Sequence, residues 1–216
     1  MTHLKRQAVP KNWPIRRKGT AYVVSPNFSK NNGIPVLVIL RDILKVAYNR
    51  KEVKRAINNK LILVNQKEVR DEKNSMVLFD TISLVPSKKH YRMELSEKGK
   101  FQLDEIKESE TGKKIAKVVD KKVLKGKKIQ LNLSDGRNIL SDEKCNMNDS
   151  VVIDLKNKKL EKCLPLKEKA NVIVFEGKHA GEKGVIKKVD KERKMVSVEE
   201  KEGSIKVLIK QVIVTE

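Results

Sequence analysis

Asn49-Arg50-Lys51-Glu52-Val53-Lys54-Arg55-Ala56-Ile57-Asn58-Asn59-Lys60-Leu61-Ile62-Leu63-Val64-Asn65-Gln66-Lys67-Glu68-Val69 is the stretch from which the fold can be read. Asn49 followed three residues later by Glu52 is a capping-box pattern with Asn in place of Ser or Thr, so a helix is predicted to start there. On that helix Lys51, Lys54, Arg55 and Asn58 share one face by the i, i+3, i+4, i+7 rule, while Val53, Ala56 and Ile57 share the other. One side packs, and the other offers cations and amides. Leu61 to Val64 is then a β-rich run, Asn65-Gln66-Lys67 reads as a turn, and Glu68-Val69-Arg70 as the return strand of a small hairpin.

Working outward, Pro35 suits a first helical turn, and Val36, Ile39, Leu40, Ile43, Leu44 and Ala47 recur at three- and four-residue intervals. This predicts an amphipathic helix to about Tyr48. Met76 to Leu84 supplies a further strand. The first 35 residues hold Trp13, four prolines and the run Arg16-Arg17-Lys18, with no sustained helical or strand period. They read as an extended, flexible basic arm, which can offset its chain entropy by releasing counterions from phosphates.

The whole chain of 216 residues has 49 Lys plus Arg against 28 Asp plus Glu, a formal charge of +21. A polyanion is the partner such a balance calls for, and nucleic acid is the leading one. Residues 1–60 carry 14 basic and only 2 acidic side chains, so the excess is concentrated at the N-terminal end. The longest apolar stretch, Ile34 to Leu40, falls short of the roughly 18 residues a spanning helix needs, and no apolar run of signal-peptide length follows the N-terminus. Membrane insertion and export are therefore not expected. Cys145 and Cys163 are too few for a four-cysteine zinc site and read as reduced thiols.

Residues 91–167 alternate short apolar runs with turns, as in Gly99 to Leu103, Ile129 to Leu133 and Ser150 to Leu155, predicting a small antiparallel barrel or sandwich. Ser134-Asp135-Gly136-Arg137 and Lys156-Asn157-Lys158-Lys159 read as its turns. Its lysine-rich stretches are interspersed with acids and read as scaffold surface. From residue 168, the strand Ala170 to Phe175 runs into Gly177, Gly181 and Gly184, three glycines within eight residues. They imply torsions closed to other side chains, close approach to a partner, or an ordinary tight hairpin. Strands are expected again at Met195 to Val198 and Ile205 to Val214. No Gly-Lys-Ser/Thr sequence is present, which disfavours nucleotide hydrolysis.

Residues 40–85 resemble the "S-four" RNA-binding domain, through Arg41-Asp42, Arg50 to Ile57, Leu63-Val64-Asn65-Gln66-Lys67-Glu68-Val69 and Asp80-Thr81-Ile82; Gln66 stands where that pattern usually has glycine. Residues around Gly177, Gly181 and Gly184, with Val185-Ile186 behind them, resemble the KOW motif of SH3-like barrels. The order of these modules, with His3-Leu4-Lys5-Arg6, Trp13 and Pro35 to Asp42, is similar to the "S-four-e" family of archaeal and eukaryotic small-subunit ribosomal proteins. Because the chain stops at Glu216, the resemblance is to the archaeal type.

The fold class implied is α+β and multidomain. A basic arm (1–35) leads a helix-helix-hairpin RNA-binding domain (36–90), a central β-barrel or sandwich (91–167) and an SH3-like KOW barrel (168–216). The resemblance further implies a cytoplasmic, ribosomal, non-enzymatic protein whose partners are small-subunit ribosomal RNA and neighbouring ribosomal proteins, with no cofactor, metal, membrane or small-molecule substrate. Expected RNA contacts are Lys5, Arg6, Trp13, Arg16, Arg17 and Lys18 in the arm; Arg41, Arg50, Lys51, Lys54, Arg55, Lys60, Asn65 and Lys67 in the module; and Lys178 and His179 in the KOW loop. The competing readings are an RNA-modifying enzyme with an appended RNA-binding domain, and a KOW-type transcription elongation factor. His3, His90 and His179 lie far apart in sequence and near no obvious nucleophile, and no Rossmann glycine fingerprint is present, so the enzyme reading has little support.

Overall fold

A computed structural model of the protein describes residues 3–28, 30–141, 145–190, 192–200 and 203–215. It is mostly β, and it divides into two compact units: residues 1–95 with 100–112, and residues 96–99 with 113–216.

In the first unit the elements are β1 (Leu4–Lys5), β2 (Tyr22–Val23), β3 (Gly33–Pro35), α1 (Val36–Val38), α2 (Arg50–Asn58), β4 (Ile62–Val64), β5 (Lys67–Glu68), β6 (Ser75–Val77), β7 (Thr81–Leu84), β8 (Lys89–Leu95) and β9 (Phe101–Ile106). Strands β5-β4-β7-β8-β9 form one sheet, and β1-β2 and β3-β6 form two-stranded ribbons. The boundary expected at residue 90 therefore falls inside β8. That strand pairs Thr81–Leu84 with Lys89–Arg92, and β9 adds to its other edge. Hydrogen-bond pairing, which composition does not report, decides which strands belong together.

The first helix differs from expectation. After α1 the backbone widens into a π turn at Ile39–Ile43, with the Leu44 N–H bonded to the Ile39 carbonyl. Lys45 then takes a positive φ of 55° and ends the helix well short of Tyr48. Val36, Leu37, Val38, Ile39 and Leu40 are all buried, so the segment is enclosed on every side and its spacing does not mark a single apolar face.

The N-terminal segment has little regular structure, yet it is tied to its unit at several points. Trp13 is buried and donates its indole N–H to the Gly33 carbonyl at 3.1 Å. Val9 is also buried, the Asn12 carbonyl accepts from the Phe101 N–H at 2.8 Å, and the Asn27 side chain accepts from the Ser75 N–H at 3.2 Å. A loose arm was expected because the segment shows no sustained helical or strand period. Irregular backbone does not prevent Val9 and Trp13 from reaching the core.

In the second unit, β10 (Lys113–Val123), β11 (Ile129–Leu133), β12 (Asn138–Ser141), β13 (Ser150–Asp154) and β14 (Lys159–Leu164) form a curled antiparallel sheet in the order β12-β11-β10-β13-β14. The long β10 produces the curl: Lys113–Lys117 pair with β13, Val118–Val123 pair with β11, and the register breaks between Val118 and Asp120. A second sheet contains β15 (Asn171–Val174), β16 (Lys183–Asp190), β17 (Met195–Glu200), β18 (Gly203–Leu208) and β19 (Val212–Val214), ordered β18-β17-β16-β15-β19. The strand expected over 205–214 is broken by a 3-10 turn at Ile209–Gln211, which returns β19 to the far edge beside β15. Val152 and Leu164 of the first sheet share a core cluster with Val172, Val174, Ile186, Val196 and Val212 of the second, so residue 167 does not separate two cores.

Buried lysines fasten this unit. Lys117 is 3% exposed and donates its ammonium to the Val212 carbonyl at 2.7 Å and to that of Ile209. Burial pushes its pKa down to about 8. Lys114 is 2% exposed and donates to Asp135 at 2.7 Å. Burial alone would push the Asp135 carboxyl up, but the Lys114 ammonium and the Arg137 N–H hold it below its ordinary value.

Candidate nucleic-acid interface

Helix α2 is capped as the sequence predicts. The Asn49 side-chain oxygen accepts from the Glu52 N–H at 3.0 Å, and the Glu52 carboxylate accepts in return from the Tyr48 N–H at 2.7 Å and the Asn49 amide at 2.9 Å. Such a cap stabilises a helix by about 1 kcal/mol. Val53 and Ile57 are buried beneath α2, a burial that contributes roughly 1.5–3 kcal/mol each. With that face anchored, Lys51, Lys54, Arg55 and Asn58 are held outward and exposed.

The cations of this region are not equivalent. Glu72, whose side chain is 2% exposed, takes the Arg50 guanidinium on one carboxylate oxygen and has the Lys54 ammonium at 3.9 Å from the same oxygen. Its hydrogen bond and charge raise the Arg50 pKa. Arg41 forms a two-point pair with Asp42 at 2.8 and 3.1 Å, and Lys60 pairs with Glu68 at 3.1 Å. Lys51, Arg55 and Lys67 are exposed and make no side-chain ion pair among the described residues.

At the hairpin between β4 and β5, Asn65 and Gln66 both have positive φ, 51° and 62°. Gln66 meets the torsion usually given to glycine and donates its amide to the Thr111 hydroxyl at 3.3 Å. Asn65 corrects an expectation. It is buried, donates to Asp80 at 2.7 Å and accepts from the Thr81 N–H at 3.1 Å, so its amide fixes the turn and is not presented outward. Asp80 completes this latch by accepting from the Val77 N–H at 2.7 Å.

In the N-terminal segment Lys5, Arg16, Arg17 and Lys18 are exposed. Arg6 and Trp13 are otherwise engaged. The Arg6 guanidinium donates to the Thr20 carbonyl at 2.7 Å, the Arg16 carbonyl at 2.8 Å and the Thr20 hydroxyl at 2.8 Å, so it organises the loop that carries Arg16, Arg17 and Lys18. Trp13 offers no exposed ring for stacking.

Lys178 is exposed at the glycine-rich loop, whereas His179 bonds Glu182 at 3.0 Å. Gly181 has φ +98°, and a Cβ there would lie 2.0 Å from the Ser96 carbonyl oxygen. Gly184 lacks a positive φ, but a Cβ would lie 2.3 Å from the Glu199 carbonyl oxygen in the adjacent strand. Gly177 has φ +100°.

Glu72 escaped sequence reasoning, because its partner Arg50 lies 22 residues away in sequence. Lys114 and Lys117 escaped it too, lying among lysines that read as surface. Asp80 carried a signal, its place beside Thr81-Ile82, but the role of that signal becomes visible only with Asn65 in place. No group of side chains suited to hold a metal ion occurs among the described residues, and among them no helix is long and apolar enough to cross a membrane.

The structure is that of a two-unit, β-rich protein whose cationic helix face stands on a packed apolar one. The same fold occurs in the crystal structure of the 30S ribosomal protein S4e from Thermoplasma acidophilum, with a TM-score of 0.73 and 24% identity over 86% of this chain and 95% of that one. Residues 87–160 match the Ribosomal family S4e, residues 2–28 the RS4NT (NUC023) domain and residues 168–199 the KOW motif. Small ribosomal subunit protein eS4 of Methanocella arvoryzae is 37% identical over 87% of this chain and 80% of its own length. Its counterpart from Halobacterium salinarum is 32% identical over 98% and 94%. The chain belongs to the eS4 family of small ribosomal subunit proteins.

Proposed function

We propose that this protein is a non-enzymatic structural constituent of the small ribosomal subunit, in the cytoplasm, that binds folded small-subunit ribosomal RNA largely through phosphates and contacts neighbouring ribosomal proteins. The reading is carried by one observation beside family membership: the cations of α2 project from a face whose opposite side is buried. A rigidly held row of this kind suits phosphate positions fixed by RNA shape.

The contact set we propose is Lys51, Lys54, Arg55 and Lys67, with Arg41, Arg50 and Lys60 at its margin, Lys5, Arg16, Arg17 and Lys18 from the N-terminal segment, and Lys178 with His179 from the KOW loop. Arg6, Trp13 and Asn65 hold these groups in place. Residues 1–35, 36–90, 91–167 and 168–216 are read as its four functional segments: a leader, an S-four-type helix-helix-hairpin module, a central β scaffold and an SH3-like barrel. The barrel reading is supported by the meander β15 to β18 and the 3-10 turn that brings β19 back beside β15. The eS4 relatives favour this function over RNA modification or transcription elongation.

The test is sedimentation of tagged protein with small subunits from a lysate, followed by binding of purified protein to small-subunit RNA across a salt series. With six to ten phosphates contacted, affinity should fall by roughly 10³ to 10⁵ between about 50 and about 200 mM salt. Replacing Lys51, Lys54 and Arg55 by Ala should lower the slope of log affinity against log salt by about 3 without unfolding the chain. Failure to sediment with small subunits, or binding indifferent to salt, would overturn the assignment.

A further inference from the structure

The second unit contains a cavity of about 770 Å³ lined by residues 146–149, Leu166, Val189, Arg193, Lys194 and residues 208–210. Two chemistries meet in it. Its apolar surface includes Met147, 55% exposed, and Leu208, 36% exposed, alongside Leu166 and Val189. Among the described residues its charged lining is Arg193, Lys194 and Lys210, all exposed, with one acid, Asp149. Asp149 is buried and both carboxylate oxygens are taken, one by the Leu166 N–H and the other by the Asn146 N–H, each at 2.9 Å. Among the described residues the carboxylate paired with the Arg193 guanidinium is a distant one, Asp190 at 3.9 Å. Lys194 and Lys210 make no side-chain ion pair among the described residues.

We propose that this cavity is a second RNA-binding site, taking one unpaired nucleotide of ribosomal RNA, with its base against Met147, Leu166 and Leu208 and its flanking phosphates on Arg193, Lys194 and Lys210. The inference rests on the function proposed above and adds a site that the helix does not supply. Charge decides the class of occupant, since among the described lining residues three cations accompany a single acid, Asp149, whose carboxylate is hydrogen-bonded inward. Shape decides its form. Paired bases stay stacked within a helix, so a duplex could touch only the rim, whereas a splayed-out nucleotide can enter and cover exposed apolar side chains. The volume lies within the usual range of about 300–1,000 Å³ for sites that enclose a small ligand.

Two measurements test it on the full chain. Arg193→Glu with Lys194→Glu and Lys210→Glu should lower the salt slope for small-subunit RNA by at least about 2, given ~0.7 per phosphate of single-stranded RNA. The helix triple-Ala variant, measured beside it, should lower the slope independently. If wild type binds and only the helix variant weakens it, the cavity proposal falls and the assignment stands; if wild type shows no salt-dependent binding, both fall. In the second measurement, p-benzoylphenylalanine placed at Met147 in reconstituted small subunits should crosslink to an unpaired ribosomal RNA nucleotide. A crosslink to protein alone, or none, overturns the site.

Discussion

The N-terminal segment and helix α2 are both rich in cations, yet they present them differently. In α2 the apolar side is buried, and Lys51 and Arg55 are left without ionic partners among the described residues. In the N-terminal segment, Arg6 gives its hydrogens to Thr20 and Arg16, and Trp13 enters the core. A basic or aromatic residue is available to a partner only when the fold has not already engaged it, and local charge density does not report that. The same division recurs at the β4–β5 hairpin, where Asn65 is engaged and Lys67 makes no ion pair among the described residues.

The sharpest way to break this comparison is Trp13→Ala. A fully buried indole should cost roughly 3–5 kcal/mol in denaturant unfolding, visible without any RNA. An affinity loss with unchanged stability would instead return Trp13 to the interface.

A somewhat smaller effect is expected at Lys117, a cation engaged deep inside. Its folded pKa of about 8 lies below the ordinary 10.5, so between these values the unfolded chain binds more protons than the folded one. Stability contributed by this group should be complete above about pH 10.5 and lost as pH falls through 8, a span on the order of 3 kcal/mol. Other lysines also discharge there, so the measurement is the difference in the pH slope of stability between wild type and Lys117→Met, the variant being flatter. Equal slopes would show that Lys117 titrates normally.

At the hairpin, Asn65→Ala should destabilise by about 1–3 kcal/mol, because Asp80 and the Thr81 N–H lose a buried partner. Lys67→Ala should leave stability within about 0.5 kcal/mol and weaken RNA binding. The smallest effect belongs to Gln66→Gly. Relief of the left-handed torsion, worth roughly 1 kcal/mol, is partly offset by loss of the long Thr111 bond, so the midpoint of unfolding should rise slightly.

What was legible in the sequence was local. The α2 cap joins residues three apart, the buried face follows from helical spacing, and the strand at Ile129–Leu133 shows in alternation. What was not legible joins distant residues: Trp13 with Gly33, Asn65 with Asp80, Arg50 with Glu72, Lys117 with Val212. The edge of the first sheet was misjudged for the same reason, since β8 and β9 look like their C-terminal neighbours in composition but pair with β7. The length of the first helix was overread because five consecutive buried residues mimic, within a longer window, the spacing of an amphipathic one.

The long strand β10 carries a consequence for synthesis. Its first half needs Ser150–Asp154, its second half needs Ile129–Leu133, and Lys117 needs the carbonyls of Ile209 and Val212. A nascent chain leaves the exit tunnel N-terminus first, so the sheet of the first unit can close once Ile106 has emerged. The second unit, with β19 its closing strand, must wait until Val214 has emerged as well. Before Ile129 has emerged β10 lacks both of its partner strands, while the basic helix upstream is already complete.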